Sequence, residues 1–336
     1  MSTPPLGVML FSLGGLFWQR RLDLAGCLTA VASLGPDQGI ELIGAQSFST
    51  YPEVTDEEVA AFRDAVDRTG VVPVSYCAYL ERARSASRRL SPIESVDLLD
   101  AEIRVARRLG FPVVRINMAP PEVVPSLARL ADRTGMPVVI ELSTEPRTDP
   151  AVAALVEELD RLACPALGVI QDFSAFVHAI PVPYLADAVA GGTPAAACAA
   201  IAQAWAAGRP VGDAVEEVVA LGLSREERGR SVQTAHIAYA LFRAGDPAGL
   251  RDVLPHLRHV QAKFFALGAD DVEPCIPYPE LVAILRSSGY AGRIHSEFEG
   301  FLWDDDLDAL DQIGRQQREL GRLWNGQVGA GGRSSA

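Results

Sequence analysis

The feature that most limits what this chain can fold into is an eightfold alternation of short, β-rich apolar runs, each followed by a segment of helical period. The runs are Gly7–Leu13, Ile40–Gln46, Val72–Leu80, Pro112–Asn117, Pro137–Leu142, Leu167–Asp172, His259–Phe264 and Arg293–Phe298. Helix starts agree with this reading. Thr55 with Glu58 and Ser91 with Glu94 have capping-box spacing, and Pro92 takes the first helical position of the second. Gly35, Gly70, Gly110, Gly135 and Gly289 stand where helical patterns stop. Strand starts about 25 to 40 residues apart, joined by crossover helices, predict an α/β fold of the (β/α)8 TIM-barrel type. The rival is an open doubly wound sheet, but no GxGxxG follows the first run, where a dinucleotide fold needs its phosphate-binding turn.

One interval breaks the rhythm. Between Asp172 and His259 lie about 85 residues, too many for one crossover helix, and Thr193–Ala207, Val211–Leu221 and Ser224–Arg243 all have helical period. A helical insertion over about 180–255, after strand six, is the expectation, placed to cover the barrel mouth. A single barrel should occupy 1–324. The remaining segment, 325–336, reads NGQVGAGGRSSA and is expected to be a disordered tail.

Composition narrows the function classes. Forty-three acidic residues against 30 basic ones give a net charge of −13, which supplies no footprint for nucleic acid or anionic lipid. An abasic-site endonuclease, another user of such barrels, is disfavoured for the same reason. A small-molecule substrate is expected. No run approaches the roughly 18 apolar residues of a membrane span, and MSTPPLGVMLFSLGG lacks a basic region ahead of its apolar stretch, so a cytoplasmic protein is expected. Five cysteines, widely spaced and odd in number, fit reduced thiols better than a disulfide framework or a zinc knuckle.

In a parallel barrel, chemistry is carried by side chains at the carboxyl ends of strands. Four stand out: Glu141 in VVIEL, Asp172 in GVIQDF, Gln261 in HVQAKFF and Glu297 in RIHSEFEG. Three carboxylates sharing a small volume raise one another's pKa unless a counter-charge is present, and a divalent cation is the simplest one. Oxygen donors suit Mn²⁺ or Mg²⁺ better than copper or zinc, with cobalt and zinc left open. Taken singly, each acid could instead cap a helix or pair with a surface arginine.

Other residues follow from strand parity. Lys263 shares the inward face of Gln261, one step nearer the mouth, as a contact to substrate oxygen or to the metal's surroundings; a snorkelling surface lysine is the alternative. His259 and His295 point inward but deeper, as hydrogen-bonded core histidines or as groups that orient ligands. Glu299 follows Glu297 on one face and suits a sugar hydroxyl or a loop anchor. Gln46, Arg115 and Asn117 are polar where their strands leave the core, as substrate contacts or as solvated rim residues. Trp18, with Phe17, could wall an apolar substrate face or fold onto its own loop.

At these residues the sequence resembles the xylose-isomerase-like barrel superfamily of sugar-phosphate isomerases and epimerases, from Gly7 to about Leu323. The most specific segment is IPYPELVAILRSSGYAGRIHSEFEG, Ile276 to Gly300. The segments ELIGAQSF, SYCAYL, ARRLGFPVVR and HVQAKFF are closer still to the alpha subunits of C-glycoside deglycosidases. The resemblance implies metal ligands at Glu141, Asp172, Gln261 and Glu297, the two glutamates also moving protons, and a 3-oxo-glycoside substrate. A small beta subunit or a homo-oligomer is implied as partner. The chain departs from the pattern at Gln261, where the family usually has the second His of His-x-His, at Ser143, and at Ala175, where epimerases carry a substrate-contacting His. Three outcomes share the enolate-forming step: lyase-type elimination of an aglycone, sugar isomerisation, or 3-epimerisation. A catalytically inactive scaffold subunit is the reading from another class.

Overall fold

A computed structural model describes residues 4–143 and 149–327. Its centre is a closed barrel of eight parallel strands: β1 (Leu6–Met9), β2 (Gly39–Ile43), β3 (Val72–Ala78), β4 (Val114–Ile116), β5 (Val138–Leu142), β6 (Leu167–Asp172), β7 (Leu257–Phe264) and β8 (Ile294–Phe298). Neighbours in sequence are neighbours in the ring, and β1 pairs with both β2 and β8 to close it. The fold is the (β/α)8 barrel that the alternation predicts. Strand ends differ in two places, where Leu10–Leu13 and Gly14–Trp18 form helical turns after β1, and Gly44–Ser47 forms one after β2. A short apolar run serves a buried helical turn as well as a strand. These turns begin just past the last paired residues, Met9 with Glu41 and Ile43 with Cys77.

Caps set where the helices point. Ser91 and Glu94 close a full capping box over the helix Pro92–Leu109. Thr55 caps Asp56–Thr69, but the Glu58 carboxylate turns to Ser49 and Thr50 instead, which pins the loop that follows β2. Between β6 and β7 stand four longer helices, Val182–Ala190, Ala195–Ala206, Val211–Ala220 and Arg225–Leu241, and a single-turn helix, Leu250–Val253. The first is not among the segments read as helical from the sequence; its prolines sit in the first turn, where they are well tolerated. Ile201, Trp205, Val218 and Ala238 are buried, and the Trp205 indole donates to the Phe242 carbonyl at 3.1 Å. From residue 328 onward the predicted tail lies outside the described residues.

The barrel interior is layered and partly polar. The His295 ring fits at its lower level only because β1 and β2 carry glycine there: a Cβ on Gly7 would lie 2.4 Å from His295 Cδ2, and one on Gly39 would lie 2.8 Å from Nε2. The last helix, Ala309–Trp324, is stitched to the barrel by buried amides. Gln316 accepts from Ser296 Oγ at 2.6 Å and donates to the Ala262 carbonyl, while Gln317 donates to the Gly7 carbonyl and pairs with Gln38. Each bond supplies a partner that burial would otherwise remove.

The loop after β7 hangs on Glu273, a buried carboxyl whose charge is felt by a second one, Glu319. Glu273 accepts the N–H groups of Phe265 and Cys275 at 3.1 and 2.8 Å. Burial pushes Glu273 up to about 7 and Glu319 up to about 8, with the charge of Glu273 adding to the latter. A carboxyl raised in the fold contributes stability that is complete below its unfolded pKa and is lost as pH rises through the folded value. We therefore expect Glu319→Gln to gain on the order of 4 kcal/mol relative to the unchanged protein between about pH 5 and about pH 9, measured by urea denaturation. An offset equal at both pH values would show that Glu319 is not protonated in the fold.

Candidate active site at the barrel mouth

Strand alternation aims Glu141, Asp172, Lys263 and Glu297 from β5, β6, β7 and β8 into the carboxyl-terminal mouth. Glu141, Asp172 and Glu297 each bring a carboxylate oxygen within 4.8 Å of the others. Lys263 lies among them, its Nζ 3.0 Å from Glu297 and 3.3 Å from Asp172, and it also reaches Glu299. Arg115, from β4, pairs with Glu141 at 2.8 Å. Among these side chains four carboxylates face two cations, a net charge of −2 when all are ionised. Burial pushes Glu141, Asp172 and Glu297 above the usual carboxylate range, and the opposing pull of Arg115 on Glu141 and of Lys263 on the other two does not undo it. Burial alone would lower the Lys263 ammonium, but Asp172, Glu297 and Glu299 hold it well above its ordinary value.

The donor set fits a hard divalent cation. The charge deficit equals one such ion, and two buried oxygens, Glu297 Oε2 and Gln261 Oε1, have no hydrogen-bond partner. Gln261 pairs in register with Asp172 on one side and His295 on the other, and is fully buried. Asp172 is further held by the Ser174 N–H at 2.8 Å, which starts the turn Phe173–Phe176 and fixes its other oxygen toward Lys263.

Beneath this layer lies a residue that sequence reasoning missed. Glu41, central in GIELI of β2, is fully buried between His295 Nδ1 at 2.6 Å and His259 Nε2 at 3.0 Å. Burial would raise its carboxyl, but the two imidazoles hold it far below the usual range. Burial in turn lowers His295, against the pull of Glu41. Glu41 is the inward residue opposite Ser75 and Met9, and its only sequence signal is a charge in an otherwise apolar strand. His259 and His295 lie in the deeper layer, as strand parity predicts.

Above the carboxylates opens a cavity of about 410 Å³. Gln46, Arg115, Glu141, Asp172, Lys263, Glu297 and Glu299 line it, and so does Ser143. Two expected contacts are absent from the lining. Asn117 Oδ1 accepts the Leu80 N–H at 2.7 Å and so ties the β3 loop to β4 instead. Trp18 packs edge-to-face on Phe11 and Phe301, with ring centroids 5.8 and 5.6 Å away, and stays half exposed outside the cavity. The apolar wall comes from residues far apart in sequence: Phe11, Tyr79, Phe242, Phe265 and Trp303. Phe242 follows the four-helix stretch and meets Phe265 at 5.7 Å and Trp303 at 5.9 Å. No local pattern in the sequence marks that convergence.

No family model matches the chain. It is similar over nearly its whole length to the C-glycoside deglycosidase alpha subunit of Arthrobacter globiformis, being 29% identical over 329 residues that cover 94% of this chain and 90% of the relative. It is 28% identical over 336 residues to the 3'-dehydrocarminate deglycosidase alpha subunit of a Microbacterium species, covering 96% of each. These are the relatives that ELIGAQSF, SYCAYL, ARRLGFPVVR and HVQAKFF suggest. Among solved structures, the chain superposes on the IOLI protein with a bound zinc atom at a TM-score of 0.58 and 10% identity, over 96% of this chain and 99% of that one. This likeness speaks to the barrel fold alone. Among the described residues, no helix is long and apolar enough to cross a membrane.

Lys263 is the only cation within salt-bridge distance of Asp172, Glu297 and Glu299 among the described residues. Lys263→Met should cost about 3–5 kcal/mol near neutral pH, where it strands buried carboxylates. The loss should shrink at about pH 5, where protons replace the missing charge. Urea denaturation at the two pH values checks this, and a pH-independent loss would mean that Lys263 acts by packing alone.

Proposed function

We propose that this chain is a divalent-metal-dependent acid/base enzyme on carbohydrate, a lyase that cleaves 3-oxo-glycosides by enolate formation and β-elimination. The observation that carries this reading is the net −2 cluster of Glu141, Asp172, Glu297 and Glu299 with Arg115 and Lys263 at the floor of a sugar-sized cavity. The two deglycosidase alpha subunits to which the chain is similar support the substrate class and the bond cleaved.

Glu141, Asp172, Gln261 and Glu297 would hold the ion, with Mn²⁺ or Mg²⁺ suiting the all-oxygen set. When bound, the cation supplies Lewis-acid stabilisation of negative charge developing on sugar oxygen. The 3-keto group acidifies the hydrogen at carbon 2. Glu141, oriented by its 2.8 Å pairing with Arg115, removes that proton. Lys263, held as an ammonium, donates hydrogen bonds to a sugar oxygen and favours charge there. The electron pair left at carbon 2 forms the carbon 1–carbon 2 double bond as the aglycone departs from carbon 1. Glu297 delivers a proton to the departing atom, so a carbon-linked aglycone leaves as a neutral molecule. Phe11, Tyr79, Phe242 and Trp303 provide the apolar face for sugar or aglycone. Gln46 and Glu299 offer polar contacts to hydroxyls. The alpha-subunit names of the relatives support a second polypeptide in the active unit.

The test uses a 3-oxo-glycoside with metal-stripped and Mn²⁺-reloaded protein, supplied with any partner polypeptide it requires. Glu297→Gln should lose aglycone release by roughly 10²- to 10⁴-fold. Glu141→Gln should also abolish exchange of the carbon 2 hydrogen with solvent deuterium. Full release in excess chelator would sink the proposal. Exchange on a free ketose without release from any glycoside would favour isomerisation or 3-epimerisation instead.

A further inference from the structure

Gln261 is an amide where a cation site needs an oxygen, and an amide can present either of its ends. Its surroundings choose one. Glu41 Oε2 accepts a hydrogen bond from Gln261 Nε2 at 3.2 Å, while Gln261 Oε1 is buried with no donor near it. Glu41 is itself oriented, since His295 Nδ1 meets its other oxygen at 2.6 Å and His259 Nε2 lies 3.0 Å from Oε2. The ring of His295 is seated against Gly7 and Gly39 and cannot shift toward the barrel floor. A carboxylate accepts and does not donate, so an amide beside it turns its NH₂ inward and its oxygen away. Flipping the amide would set oxygen against oxygen and leave an NH₂ toward the cation position.

We propose that Glu41 is a positioning residue, which locks the Gln261 amide so that its oxygen, and not its nitrogen, faces the cation held by Glu141, Asp172 and Glu297. This rests on the metal-binding reading above and deepens it. Partners that orient metal ligands are worth about 10- to 100-fold in affinity. An amide needs such a partner more than a carboxylate does, because only one of its ends binds.

Calorimetric titration of Mn²⁺ into the metal-stripped full chain tests it as a double-mutant cycle. The unchanged protein should bind one equivalent. Glu41→Gln, which can donate as well as accept and so permits the flip, should weaken binding by about 10- to 100-fold. Gln261→Ala should weaken it similarly, and the double variant should be no weaker than Gln261→Ala to within about twofold. Unchanged affinity in Glu41→Gln overturns the proposal, as does a full additional loss in the Gln261→Ala background. Two equivalents, one of which disappears with Glu41, would make Glu41, His259 and His295 a second metal site and overturn it as well. Absence of any binding by the unchanged protein defeats the metal reading itself, before a variant is consulted. If Glu41→Gln does not fold, judged by thermal denaturation, Glu41→Asp takes its place: the shortened carboxylate drops the amide, and the same losses are expected.

Discussion

Closing eight parallel strands into a ring forces their inward side chains into one small volume, and here that volume holds charge. Lys263 and Arg115 are what make the arrangement tolerable, because each lies within 3.3 Å of a buried carboxylate and opposes the upward push of burial on it. They leave the cluster short by two positive charges. That deficit matches the charge of one divalent ion, and it is the ground on which we propose a metal site at the mouth. A neutral interior would offer no such match.

The polar interior is built in depth. At the mouth stand the carboxylates and Lys263; a level lower, Gln261 links that layer to Glu41; below it, His259 and His295 close the stack against Gly7 and Gly39. The histidines thus meet Glu41, and Glu41 meets the Gln261 amide, all below the level of the cavity. The wall of the cavity follows a different logic. Phe242, Phe265 and Trp303 arrive from three connections and pack edge-on or tilted against one another, so the shape of the substrate space depends on how those connections settle.

Much of the architecture is legible in the residues alone. Runs such as VVIEL and GVIQDF announce strands, Ser91 and Glu94 announce a helix start, and the parity of HVQAKFF aims Gln261 and Lys263 at the same side. The candidate carboxylates follow as a set, since acids that close neighbouring apolar strands converge on one small volume, although each alone could cap a helix or pair with an arginine. Asn117 shows the limit of that logic, because a polar residue leaving a strand serves a neighbouring loop as readily as a ligand. Glu41 shows the opposite failure: it sits inside a strand too apolar to suggest chemistry.

Periodicity and capping act over a few residues, and so the strand order, the barrel class and the inward aim of the strand-end acids can be read from the chain alone. Only the tertiary structure decided that Arg115 answers Glu141, that Glu41 answers Gln261, and that Trp18 stands behind Phe11 instead of lining the cavity. The first two pairings join residues 26 and 220 positions apart in the chain. Their strength comes from loss of water around charge, and no local pattern records how deeply a side chain will be buried.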